Sequence, residues 1–390
     1  MANNNKHTGP NVPALRFPEF SGEWESRTIG DDCKILMCKR IFANQTTPEG
    51  EVPFYKIGTI GDKADAYISK KLFEEYKQRY NYPKCGEVMI TCAGTVGKTI
   101  LYNGQDAYYQ DSNIVWISNP RKIYSNEFLN YLLNRVDWSK LNSTTITRIY
   151  NDNLRELHIT FPSKEEQDKI VSLLTRIDDR IDTQSKIIEE LTTLRSALLE
   201  KVFQVSNPTL EVGAIAHQTS ERNKLCRYSN VLSVSNRFGF INQSEQFEDR
   251  NVASDDVRNY KVVHRGDFAY NPARINVGSI AMLKNFESGI VSPMYICFQV
   301  DDTIVDPSFF ELFLETKAFK DEMEIRLEGS VRRCLSFEAL CEIHLPRPAL
   351  LVQRSISDKI GNISSKIKLE NRILRAYIRQ KEWLLKQMFI

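Results

Sequence analysis

The side chains best able to do chemistry in this sequence cluster around a few glycines. Gly94–Thr99 reads GTVGKT, whose Lys98 and hydroxyl residues have the composition of a phosphate-binding loop. That loop requires a glycine five positions before Gly97, and Cys92 stands there. A tight turn between strands, with glycine needed for its backbone angles, is expected instead; Lys98 remains available to a phosphate. His158 and His344 lie on strands that enter helices, and two separate histidines make no metal site. Each is expected to be a satisfied structural residue. The cysteine pairs Cys33/Cys38, Cys85/Cys92 and Cys334/Cys341 are all spaced wider than CxxC, which points to reduced, mostly buried thiols of a cytoplasmic protein. No Ser–His–Asp set and no paired carboxylates can be placed by spacing. The expectation is a chain without catalytic apparatus, metal or cofactor.

Polar and basic loops remain. Asn271–Arg274 reads NPAR, which resembles the Asn-Pro-Pro-aromatic loop that amino-methyltransferases close on adenine, but two of its four positions differ. No glycine-rich cofactor loop accompanies it. Arg121 and Lys122, then Thr145, Thr147 and Arg148, then Arg274 and Asn276, and finally Arg332 and Arg333 form the other groups. Arg and Asn are the side chains that read guanine and adenine edges, while Lys, Ser and Thr mostly hold phosphates. A solvated surface is the competing reading for any one of them.

Charge does not decide the matter. Fifty-two Lys and Arg against fifty Asp and Glu leave +2 over 390 residues, so a nucleic-acid partner must be met by local patches. No apolar run approaches the roughly 18 residues of a membrane span, and the first 22 residues are polar and punctuated by Pro10, Pro13 and Pro18, which leaves no signal-peptide core.

The elements that must position these residues occur twice. One constant offset of 186 positions, without a gap, relates Leu154 to Leu340, His158 to His344, Pro162 to Pro348, Gln167 to Gln353 and Phe203 to Phe389. Under the same offset Thr144–Arg148 matches Ser330–Cys334. Upstream the repeat weakens: CGEVMITCAGTVGKT from Cys85 resembles RGDFAYNPARINVGSI from Arg265, each with a Gly-acid pair and a later glycine.

Within each well-preserved block apolar residues recur at intervals of four and three. The first seam is Ile170, Leu174, Ile177, Ile181, Gln184, Ile188, Leu191, and the second Ile356, Ile360, Ile363, Ile367, Glu370, Leu374, Tyr377. Even the polar interruptions recur, Arg195 matching Lys381. Two helices of ~40 residues, ~60 Å long, are expected. A pseudo-twofold relation between the copies would pair them antiparallel, with Gln184 and Glu370 meeting near the middle. The blocks between read as mixed α/β domains of short strands, such as EVMITCAG, SNIVWIS, NVLSVSN and PMYICFQV. The fold class is therefore α/β (mixed α+β), with two pseudo-twofold-related domains joined by two long helices forming an antiparallel coiled coil. The boundaries are 1–22 for an N-terminal arm, 23–160 and 206–346 for the domains, 161–205 and 347–390 for the helices.

With these residues in view, the sequence resembles the specificity (S) subunits of type I restriction-modification systems along nearly its whole length. The resemblance rests on NVPALRFPEFSGEW from Asn11, KCGEVMITCAGTVGK from Lys84, LHITFPSKEEQDKIVSLLTRIDDRI from Leu157, and the double repeat. The second copy departs from the motif, with Leu351-Val352-Gln353 where the first has Glu165-Glu166-Gln167. The resemblance implies two target-recognition domains that each read one half of a split, asymmetric sequence in double-stranded DNA. It implies helices that set the spacing between the halves and dock two methyltransferase subunits. S-adenosylmethionine would belong to those partners, ATP and Mg to further restriction motor-nuclease subunits, and none to this chain. Two readings of other classes stand beside it: a stand-alone DNA-acting enzyme (a nuclease or a fused methyltransferase with non-standard motifs), and a coiled-coil adaptor that never touches DNA.

Overall fold

The computed structural model describes residues 11–141, 148–204, 209–243, 256–329 and 333–390. They form two units, one of residues up to 184 together with 373–390, the other of residues 185–372.

Unit 1 contains β1 (Glu25–Thr28), β2 (Lys34–Met37), β3 (Val52–Tyr55), β4 (Tyr67–Ile68), β5 (Val88–Thr91), β6 (Thr99–Leu101), β7 (Tyr108–Tyr109), β8 (Ile114–Ser118) and β9 (His158–Phe161). β1 and β9 pair antiparallel, β2-β8-β5-β6 form one sheet, and β4-β3-β7 a second. β5 and β8 are central strands buried on both faces, which is why VMIT and IVWI are continuous apolar runs rather than alternations.

Unit 2 repeats this with β10 (Thr209–Glu211), β11 (Ala216–Thr219), β12 (Val231–Ser235), β13 (Gly239–Asn242), β14 (Lys261–His264), β15 (Phe268–Tyr270), β16 (Ile280–Met282), β17 (Ser288–Val291), β18 (Ile296–Val300) and β19 (His344–Pro346). β10 pairs with β19, and β11-β18-β15-β16 has the connectivity of β2-β8-β5-β6. The other sheet, β13-β12-β17-β14, differs in strand number but keeps one parallel pair, β12 with β17 as β3 with β7. The variable blocks thus share one sheet and diverge in the other.

The Gly-acid pairs mark the start of the equivalent strands β5 and β15. Gly86 and Gly266 adopt φ of 83° and 94°, angles that a side chain disfavours. The adjacent acid then caps the turn. Glu87 accepts from the Lys84 amide and Asp267 from the His264 amide, both at 2.8 Å.

Two long helices cover Lys164–Gln204 and Leu350–Met388. Every seam residue anticipated from the spacing is buried or half-buried. Neither helix is a domain of its own, because the boundary between the units cuts each near its middle. In unit 1 Ile170, Leu174 and Ile177 share a core with Leu384, Met388 and Phe389. In unit 2 Leu199 and Phe203 share one with Ile360. Within each unit, therefore, the N-terminal half of one helix packs with the C-terminal half of the other, as an antiparallel pair requires. Gln184 and Glu370 are both buried, one on each side of the boundary, and Glu370 pairs with Lys366 at 2.5 Å.

The repeated Phe and Gln positions close each unit. Phe389 stacks on Phe128 (centroids 5.1 Å apart) and Phe203 lies against Phe309 (4.8 Å). Gln167 is fully buried; it accepts from the Ser125 amide at 2.8 Å and donates to the Ile123 and Pro162 carbonyls. Gln353 repeats all three bonds with Asp306, Ile304 and Pro348. Ser125 and Asp306 are the N-caps of the equivalent helices Asn126–Leu133 and Pro307–Glu315, so one side chain fastens helix, loop and helix together.

The repeat breaks one residue earlier. Glu166 forms a buried, two-bonded ion pair with Arg16 of the N-terminal arm, Nε–Oε1 and Nη2–Oε2 both 2.8 Å. Its counterpart Val352 and the neighbouring Leu351 are exposed.

Two expectations need correction. His158 and His344 are exposed, on the solvent side of β9 and β19, because strand alternation sends Ile159 and Leu345 inward instead. His344 Nε2 lies 3.6 Å from a Glu211 carboxylate oxygen. The eight thiols are not mostly buried: Cys33, Cys38, Cys92 and Cys297 are, Cys334 and Cys341 are half-buried, and Cys85 and Cys226 face solvent.

Candidate nucleic-acid interface

The GTVGKT and NPAR segments occupy the same place in the two units. The first joins β5 to β6 and the second joins β15 to β16, hairpins equivalent in the shared sheet. Each closes on glycine in the left-handed region, Gly94 (φ 66°) and Gly97 (φ 84°) in one, Gly278 (φ 88°) in the other. Gly97 has a second reason to be glycine, since a Cβ there would stand 2.1 Å from Cδ1 of Trp138. The turn expected in place of a phosphate loop is therefore what is found.

The residues that follow the second pair of candidate loops lie beside these hairpins. Thr145 and Thr147 lie outside the described residues, as does Arg332. The residues that end both loops are described, and they match. The Ile149 amide donates to the Cys92 carbonyl at 2.9 Å, and the Leu335 amide to the Pro272 carbonyl at 3.2 Å. Ile149 and Leu335 are 186 positions apart, and Cys92 and Pro272 each begin a hairpin turn. Buried Tyr270 adds a bond from its hydroxyl to the Leu335 carbonyl, 3.2 Å. Two segments far apart in sequence thus meet at one edge of the shared sheet, in the same way in both units.

In unit 1 this edge carries a cleft of about 860 Å³ lined by Gly94–Lys98 and by Asn134 and Val136–Ser139. Lys98 donates Nζ to the Ile60 carbonyl at 2.6 Å, a neutral acceptor. Asp137, the carboxylate of the cleft, is held below its usual pKa by hydrogen bonds from Ser139 and Lys140. Arg148 stands over the exposed Tyr150 ring at 5.8 Å. Its guanidinium is also felt at Cys92, whose thiol burial nonetheless pushes up to about 11. In unit 2 Arg274 and Asn276 are exposed on the hairpin, around a short helical turn, Ile275–Val277. Among the described residues no carboxylate forms an ion pair with Lys98 or Arg274.

The other candidates lie apart or are engaged. β8 runs antiparallel to β5, with Thr91 opposite Ile114 and Val88 opposite Ile117. Arg121 and Lys122, beyond the far end of β8, are thus at the opposite edge of the sheet from Lys98. Arg121 neutralises buried Asp32 at 3.1 Å, which also accepts from the Tyr124 hydroxyl, and Lys122 adopts φ 53° in an exposed turn. Arg333 pairs with Glu324 through its side chain and through the Glu324 carbonyl. Sequence reasoning missed Trp138, whose indole floors the Gly97 turn. Its signal is faint, one tryptophan just beyond a helix.

Two variable domains, each joining a hairpin of the shared sheet to a second segment by an equivalent hydrogen bond and each closed by halves of two long helices, define a two-copy scaffold. Residues 21–193 match the family of the type I restriction modification DNA specificity domain. Over 42% of its length the chain is 46% identical to a putative type I restriction enzyme specificity subunit of Haemophilus influenzae, an alignment that spans 41% of that relative. Over 92% of its length it is 22% identical to the type I restriction enzyme MjaVIII specificity subunit of Methanocaldococcus jannaschii, covering 89% of it. The fold is that of the type I restriction-modification S subunit from M. genitalium, with TM-score 0.63, 18% identity, and 97% and 99% of the two chains aligned. Residues 21–193 thus carry the sequence pattern of a type I restriction-modification DNA specificity domain, and the whole chain shares the fold of a specificity subunit. Among the described residues no helix is long and apolar enough to cross a membrane.

Proposed function

We propose that this chain is the DNA-reading subunit of a type I restriction-modification complex, with each unit reading one half of a bipartite, asymmetric target. The observation that carries this is the pairing of hairpin and loop by equivalent hydrogen bonds, Ile149 to Cys92 and Leu335 to Pro272. It gives both units the same presenting frame while the side chains on it differ, which suits a two-copy protein to an asymmetric sequence. Lys98 would hold phosphate, and Arg148, Arg274 and Asn276 have the donors that read base edges. The long helices would be spacer and docking surface for two methyltransferase subunits, with restriction motor-nuclease subunits joining them in the cytoplasm. S-adenosylmethionine, ATP and Mg would bind those partners, and this chain would have no activity alone.

The test is a block exchange. Replacing residues 206–335 with the equivalent block of a related subunit is expected to change one half of the methylated sequence and spare the other. A chimera that changes both halves together overturns the two-reader assignment. Methyl transfer from labelled S-adenosylmethionine by the purified chain alone would instead favour a fused enzyme.

A further inference from the structure

The sheet that differs between the units carries, in unit 2, a feature that buried packing does not explain. β12 and β13 form a hairpin closed by Asn236–Phe238, with Ser235 opposite Gly239 and Gly239 at φ 66°. Phe238 sits at its tip, 64% exposed, with the Arg237 guanidinium 5.2 Å from the ring centroid. This tip adjoins the hairpin that bears Arg274 and Asn276. The Ser279 hydroxyl donates to the Val234 carbonyl at 2.8 Å, and a Cβ on Gly278 would lie 3.5 Å from the Asn236 Cβ. Two more large apolar side chains flank the same hairpin. Val277 is 57% exposed, and Met294, 62% exposed, meets Asn271 through its sulfur at 3.6 Å.

Apolar groups clustered within a polar rim mark a contact site. The rim here is cationic and amide-bearing, with Arg237, Arg274 and Asn276, and among the described residues neither arginine pairs with a carboxylate. The partner must therefore be anionic and must also offer small apolar spots. The major groove of DNA does both, since each thymine places a methyl group among base acceptors within a phosphate frame. One face of the Phe238 ring is already occupied by the Arg237 guanidinium. Intercalation between bases needs both faces, so the arrangement favours contact with a methyl group over a wedge.

We propose that Phe238 is a specificity-determining residue that packs on a thymine 5-methyl in the half-site read by unit 2, while Arg237 reaches the acceptors of the neighbouring base. This rests on the DNA-reading function proposed above.

The test uses the full chain co-purified with its methyltransferase subunits and a pool of duplexes with a randomised centre. The wild type is expected to select a bipartite motif. Phe238→Ala is expected to lose a thymine preference at one position of one half, by roughly tenfold, and Phe238→Leu to retain part of it. A second pool made with deoxyuridine for thymidine lacks the methyl, and on it the wild type and Phe238→Ala should select alike at that position. If the wild type selects a motif and Phe238→Ala selects the same one with equal affinity, the assignment of Phe238 falls while the DNA-reading function stands. If Phe238→Ala keeps the motif but fails to co-purify with the methyltransferase subunits, the tip is a protein-docking surface and the assignment also falls. If the wild type selects nothing, the DNA-reading function falls with it.

Discussion

Arg148, Arg274 and Arg333 show how three side chains of one type part company. Arg333 is tied twice to Glu324, a partly exposed pair of the kind that contributes little to stability. Arg333→Ala is expected to leave the methylated motif unchanged. Arg148→Ala and Arg274→Ala should each weaken or relax recognition in one half-site only, by about 1–3 kcal/mol for a base contact. Sequencing of modified bases in cells that express each variant checks all three; loss in both halves from either single change would contradict the assignment. Thiol chemistry gives a second expectation. Burial pushes Cys33, Cys38 and Cys297 up to about 12 and Cys92 to about 11. Below those values the thiol form dominates in the folded chain, and the thiolate is the reactive species. At pH 8 a maleimide should therefore label Cys85 and Cys226 quickly and the four buried thiols only after unfolding, which mass spectrometry resolves. Spacing alone showed that the cysteines lack the CxxC pattern of a metal site. It could not say which were buried, because Cys85 and Cys226 lie in turns whose exposure depends on chain far away in sequence.

At the scale of elements, the repeated Gln167 and Gln353 do more than their place in a motif suggests. Each buried amide satisfies one backbone N–H and two carbonyls in buried or partly buried surroundings. Gln167→Ala is expected to destabilise unit 1, and Gln353→Ala unit 2, each by on the order of 3 kcal/mol. Thermal unfolding of the two variants should show it, and a change below 1 kcal/mol, well short of that order, in both would mean that water takes over these bonds. The glutamines, seams, helices and principal strands were all legible in the sequence, because periodicity and a gapless repeat are local signals. The bonds that unite Ile149 with Cys92 and Leu335 with Pro272 were not. They join residues more than fifty positions apart, and nothing in the spacing of either segment refers to the other. Phe238 escaped notice for a related reason, since an aromatic residue in a β-rich block looks like core until its exposure is known.

For the whole molecule the long helices make a quantitative expectation. One heptad inserted in each, after Ser185 and after Asn371, keeps both seams in phase and adds ~10 Å, or about three base pairs at ~3.4 Å each. An assembled, active variant should methylate the original half-sites with a correspondingly longer spacer, on a duplex face turned by roughly a quarter turn or more. An active variant that keeps the original spacer would show that helix length sets no distance. The division of each helix between units also fixes an order of events during protein synthesis. Unit 2 is one continuous stretch, residues 185–372, whereas unit 1 needs residues 373–390 for Leu384, Met388 and Phe389 of its core. Those residues leave the ribosome after all of unit 2, so the domain begun first is finished last. At about 5–20 residues per second, the first domain waits on the order of ten to forty seconds with the face around Phe128 uncovered, an interval in which a chaperone could bind it.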